Sequence, residues 1–108
     1  MTKVLVLLHK RDDLSWDEFS RYWREVHRPL AMRLPNLRQY VENHGPEIGS
    51  MPYGVAEFYF DDPDSFQAAL ASPEGEAALA DLANFVDVER TGMTIVAEAL
   101  TWSAFPAA

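Results

Sequence analysis

A chain of 108 residues with 48% hydrophobic content is a single globular domain, 1–108, with material for one core. Its formal net charge of −8 repels phosphate backbones and argues against nucleic acid as a partner. The absence of cysteine removes disulfides, thiolate chemistry and cysteine-based metal sites. No stretch approaches the ~20 apolar residues of a membrane span, so no membrane partner is expected. The run 4–8, closed by His9-Lys10-Arg11, is too short for a secretory signal, and the expectation is a cytoplasmic protein.

Residues 4–8, VLVLL, form a short unbroken apolar run bounded by charge, which predicts a buried strand. Asp12-Asp13 turns the chain, and Ser15 with Glu18 has the spacing of a capping box. The helix that follows carries Trp16, Phe19, Trp23, Val26, Leu30 and Leu34 in one stripe and ends at Pro35-Asn36. Residues 37–44 read as a second strand, 45–52 as a loop by composition, and 53–60 as a third strand rich in aromatic and β-branched residues. Asp62 caps a helix whose first residue is Pro63, and Ser72-Pro73 repeats the device for a helix ending near Asn84. Residues 86–100 predict a fourth strand with an interruption at Gly92; the tail 101–108 carries no signal.

The order β-α-β-β-α-β, with the second helix split, is the ferredoxin-like α+β pattern with an antiparallel sheet. Helices on one face leave the other bare, and a bare face exposed to water alternates apolar with polar residues. Here both faces are apolar: Val55 and Tyr59 lie on one side of the third strand, Ala56, Phe58 and Phe60 on the other. A second copy is the expected cover, giving a sheet-to-sheet homodimer of the dimeric α+β barrel type.

Several polar residues sit where apolar ones are expected. His27 lies eleven residues after Trp16, about three turns, so it points along the inward stripe. Pro29 lacks an N–H and frees the carbonyl of Glu25 beside it. A buried histidine satisfied by one hydrogen bond is the plain reading; a pocket histidine is the functional one. The second strand puts Arg38, Tyr40, Glu42 and His44 on one face and Leu37, Gln39, Val41 and Asn43 on the other, and neither is purely apolar. Glu57 interrupts the most apolar strand, which requires either an ion pair, with Arg38, Arg90 or a partner chain, or a pocket. Phe85 and Asp87 close the helical layer.

The segments EVHRPLA, LRQYVENH, YGVAEFYF and SPEGEAALADLANFVD together resemble the EthD family, over residues 4–96 and in the family's order. The histidine-x-proline of the first helix and the phenylalanine-x-aspartate after the last are its most telling marks. The resemblance implies the fold derived above and a ligand cleft between sheet and helices. It implies less about chemistry. The founding member is implicated in alkyl ether degradation beside a cytochrome system. The wider superfamily includes cofactor-free monooxygenases, lactone isomerases, and polyketide cyclases, dehydratases and decarboxylases.

The expected function is a cofactor-independent acid–base enzyme acting on a small cyclic or aromatic carbonyl compound, with no cofactor of its own. His27 would be base or acid, and Tyr40 or Asn43 would hold the oxyanion. Trp23 and Phe85 would supply aromatic walls, with His44, Glu57 and Asp87 as further pocket candidates. A positioned acid–base group contributes ~10²–10⁴-fold, which suits enolisable substrates better than ethers. A pocket histidine is cheap to remove, and His27→Ala is expected to cost no more than about 1 kcal/mol. The competing readings are a non-catalytic binding or accessory protein and, further back, a haem protein ligated through His27 or His44. A metal site is not expected, because the three histidines lack paired ligand spacing.

Overall fold

Helix starts follow local capping chemistry. A computed structural model describes residues 1–45 and 53–105; the expected loop lies, from residue 46 to 52, outside them. Its elements run β1 (Thr2–Leu8), α1 (Trp16–Tyr22), a π turn (Trp23–His27), α2 (Arg28–Ala31), β2 (Gln39–His44), β3 (Gly54–Phe60), α3 (Pro63–Ala71), α4 (Pro73–Leu82) and β4 (Gly92–Val96). In front of α1, the Ser15 hydroxyl accepts the Glu18 N–H at 3.1 Å while Glu18 accepts the Ser15 N–H at 3.0 Å. This closes the capping box. Asp62 and Ser72 accept the N–H of Ser65 and Gly75, and a proline opens each of the two helices.

The first helix is not regular. Arg28 N–H donates to the Trp23 carbonyl five residues back, a wide turn placed just before Pro29. Pro29 has no N–H to continue the ladder and crowds the Glu25 carbonyl. The inward stripe therefore passes from Trp23 to His27, Ala31 and Leu34, all buried. Val26, expected on that stripe, faces outward at 44% exposure, because the extra residue in the turn displaces it.

The sheet order is β2-β3-β1-β4, antiparallel throughout, the strand order of the ferredoxin-like fold. Register decides which side chains share a face. Val4 stands opposite Phe58 and Ile95, and Phe58 opposite Tyr40. Val4, Val6, Leu8, Ala56, Phe58 and Phe60 are buried under the helices. The other face carries Leu5, Leu7, Val41, Val55 and Val96 together with Lys3, Asn43, Glu57, Tyr59 and Thr94.

Two strand limits differ from expectation. The fourth strand is confined to Gly92–Val96. Val86 makes only an isolated bridge to Lys10, and the Asp87 carbonyl then accepts the N–H of Arg90 and Thr91, turning the chain. After Val96 the chain leaves the sheet, with Leu100, Trp102 and Phe105 each more than 80% exposed. The second strand starts at Gln39 because Asn36 adopts a left-handed turn at φ 62°, a conformation asparagine tolerates. Among the described residues no helix is long and apolar enough to cross a membrane.

Candidate functional site

The helices and sheet leave an apolar cavity of about 50 Å³. Val6, Ala56, Phe58, Ala78 and Leu82 line it, and Met93 and Leu79, each nearly half exposed, stand at its edge. It is smaller than the ~150 Å³ apolar cavity that accepts benzene, so a ring-sized ligand requires these side chains to shift. Three residues with polar atoms reach it: Trp23, His27 and Tyr40. Gly54 lets the indole of Trp23 lie directly on β3, since a Cβ there would collide with that ring.

His27 is 6% exposed and its Nδ1 lies 2.9 Å from Asp81 Oδ2. Asp81 comes from α4 and also accepts the Tyr22 hydroxyl at 2.6 Å and the Asn84 amide at 3.1 Å. Burial raises the pKa of Asp81, but the hydrogen bonds from Tyr22, Asn84 and His27 outweigh it and leave it below the usual carboxylate value. An ionised Asp81 only accepts, so Nδ1 carries the proton. Burial pushes His27 below its ordinary pKa of 6.5, against the raising effect of Asp81, so the ring is neutral at pH 7. Its lone pair is then on Nε2, which takes no hydrogen bond among the described residues. Phe85, fully buried, packs against the ring with centroids 4.9 Å apart and is not one of the residues that line the cavity.

Tyr40 belongs to a second network, centred on Glu42. Arg28 donates to Glu42 through Nε and Nη2 at 3.0 and 2.8 Å. Tyr40 donates at 2.7 Å and His44 Nε2 lies at 2.9 Å. Burial raises Glu42, yet the bonds from Arg28, His44 and Tyr40 prevail and hold its pKa below the ordinary value. Burial, followed by the neighbouring Glu42, pushes the Tyr40 hydroxyl far above its usual pKa, so it stays protonated. Its proton is committed to Glu42, and its oxygen accepts the Trp23 indole N–H at 3.1 Å. His44 stacks on Trp23 at 4.0 Å and bonds Ser20 through Nδ1 at 2.7 Å.

The structure thus brings Trp23, His27 and Tyr40 together, with Phe85 and His44 directly behind them. Asn43, Glu57 and Asp87 do not face the cavity. Asn43 and Glu57 lie on the opposite sheet face, where the Asn43 amide donates to Glu57 at 2.8 Å. The partner of Glu57 is Lys3, at 3.7 Å, rather than Arg38 or Arg90. Asp87 caps the turn before β4, accepting the Arg90 N–H. The register settles β2: Tyr40, Glu42 and His44 face the helices. Asp81 and Arg28 were missed as site residues. The available signal for Asp81 is an acid three residues after Ala78, on the inward side of α4.

A haem does not fit a space of this volume, and no group of three metal-ligating side chains occurs among the described residues. The EthD domain family matches residues 11–89. This chain belongs to the EthD family. An 11.0 kDa relative from Rhodococcus erythropolis, described as uncharacterized and lying in the thcB-thcC intergenic region, is 31% identical over 85 residues. The match covers 76% of this chain and 80% of that one. An EthD family protein from Bacillus halodurans superposes with TM-score 0.76 at 28% identity, covering 91% of this chain and 98% of the other. Two further structures share the fold at lower identity. A dimeric ferredoxin-like protein from Thermobifida fusca has TM-score 0.70, 19% identity and 90% of each chain covered. SnoaB, a cofactor-independent oxygenase from Streptomyces nogalater, has TM-score 0.63, 18% identity and 93% of each chain covered.

Proposed function

We propose that this EthD-family chain is a cofactor-independent acid–base enzyme for a small cyclic or aromatic carbonyl compound. The observation that carries this is the Asp81–His27 pair, which fixes a neutral imidazole with its basic Nε2 free beside an apolar cavity. Such a base removes a proton from the carbon next to a carbonyl and returns it elsewhere in isomerisation and dehydration; in decarboxylation its protonated form gives a proton to the enolate left when CO2 departs. Asp81 orients the ring and stabilises the imidazolium that forms. Trp23 supplies an aromatic wall, and Tyr40 enters as an oxyanion donor only when its proton leaves Glu42. We also propose a homodimer through the uncovered sheet face, in line with the dimeric relative of the same fold.

The commitment of Tyr40 to Glu42 favours the second reading, a non-catalytic binder that needs only the cavity. Proton exchange separates the two. Activated ketones, beginning with 2-tetralone, are incubated in D₂O with the protein and followed by NMR. The enzyme reading expects accelerated exchange next to the carbonyl, lost in His27→Ala. Ketones that raise the melting temperature but exchange no faster than in buffer establish a binder instead.

A further inference from the structure

Outside the inner cavity, along the α2–β2 turn, lies an open concavity of about 590 Å³. Tyr40 and Leu34 line both spaces and form the wall between them. The outer space has Arg28 and Arg38 on its surface, with Met32 and Leu37 as apolar lining. In a chain of net charge −8, this is a locally cationic recess. Among the described residues its one carboxylate is Glu42, 6% exposed in its side chain and already receiving four hydrogen bonds. Arg28 spends Nε and Nη2 on Glu42, and its Nη1 N–H groups have no partner among the described residues, with its side chain 41% exposed. Among the described residues Arg38 faces only Asp61, at 3.7 Å, and both side chains are about 60% exposed, a pairing of little strength.

We propose that the substrate is an amphipathic anion: a carboxylate held by Arg28 and Arg38 in the outer recess, its ring reaching past Tyr40 toward His27. Guanidinium groups match a carboxylate with paired, charge-assisted hydrogen bonds, and the recess sits one side chain away from the base. The inference rests on the inner cavity being the substrate site. It adds the charge of the ligand and the direction from which it enters. Only the ring enters the inner space of about 50 Å³, with the shift of lining side chains that a ring-sized ligand requires there.

The test uses 2-naphthoate and its uncharged counterpart 2-naphthamide, titrated into the wild type and Arg38→Gln and followed by calorimetry. The imidazole ¹⁵N shifts of His27 report entry into the inner cavity. The expected result is about tenfold tighter binding of the acid, narrowed at high salt and lost in Arg38→Gln, with His27 shifts moving for both probes. Equal affinity for acid and amide, or a preference unchanged in Arg38→Gln, overturns the anion site while the moving His27 shifts leave the cavity reading intact. Absence of binding by both probes, or binding that leaves His27 unmoved, defeats the cavity reading and this inference with it.

Discussion

Asp81→Asn separates the roles of charge and shape at the proposed base. The carbonyl oxygen of the new amide takes over the bonds from Tyr22 and Asn84, now made at 2.6 and 3.1 Å. The amide nitrogen then faces His27 Nδ1 in place of Oδ2, donor against donor. The clash is relieved if the imidazole moves its proton to Nε2 and accepts at Nδ1. Three charge-assisted hydrogen bonds become neutral ones, a loss of about 0.5–1 kcal/mol each, and the removed burial penalty of the carboxylate offsets part of it. The net cost is about 1–2 kcal/mol, or roughly 5–15 °C in melting temperature for a chain of this length. Activity falls by ~10²–10⁴-fold, because Nε2 no longer offers a lone pair to the cavity. Imidazole ¹⁵N spectra check the mechanism directly: protonated Nδ1 in the wild type, protonated Nε2 in the variant. The same tautomer in both proteins, or a stability loss above about 4 kcal/mol, refutes the assignment of Asp81 as an orienting group.

His27→Ala removes the Asp81 bond and the packing on Phe85, so chemical denaturation should show a loss of about 2–3 kcal/mol, more than the 1 kcal/mol expected from sequence. Because burial lowers the folded-state pKa of His27, the unfolded chain binds the extra proton first as pH falls below about 6.5. Wild-type stability should decline over that range, and His27→Ala should flatten this part of the curve. Val96→Asp, on the uncovered face, should give a folded monomer by sedimentation, whereas Phe58→Asp, facing the helices, should unfold the chain. Glu57→Gln should cost about 1 kcal/mol or less by thermal melting and leave naphthoate affinity unchanged, since its bonds to Asn43, Tyr59 and Lys3 lie across the sheet from the cavity.

The legible parts of this fold are those written in neighbouring residues. Ser15 with Glu18, Asp62 with Pro63 and Ser72 with Pro73 announce their helices within four positions, and each cap forms. His27 is buried as expected, although the stripe reaches it by a different route, because a π turn has no distinct local pattern. The orientation of β2 was closed to inspection, since both of its alternating sets mix polar and apolar side chains. Only pairing with Phe58 and Ala56 places Tyr40 and Glu42 under the helices. Asp81 was hidden for a related reason: it shares α4 with Glu74 and Glu76, both exposed, and its distinction is a partner 54 positions away. Asn43 and Glu57 were polar anomalies of the right kind, but they answer each other on the far face.

The π turn between Trp23 and His27 also bears on how chains of this shape are compared. A turn of this kind holds one residue more than the α-helical turn it replaces. Removing one of the outward residues Arg24, Glu25 or Val26 would restore a regular helix while Trp23 and the histidine kept their inward positions. Chain length is therefore tolerant by one residue at this point, whereas the same deletion in β3 would reverse every side chain after it. A relative that aligns here with a single gap has not lost the histidine; it has lost the bulge.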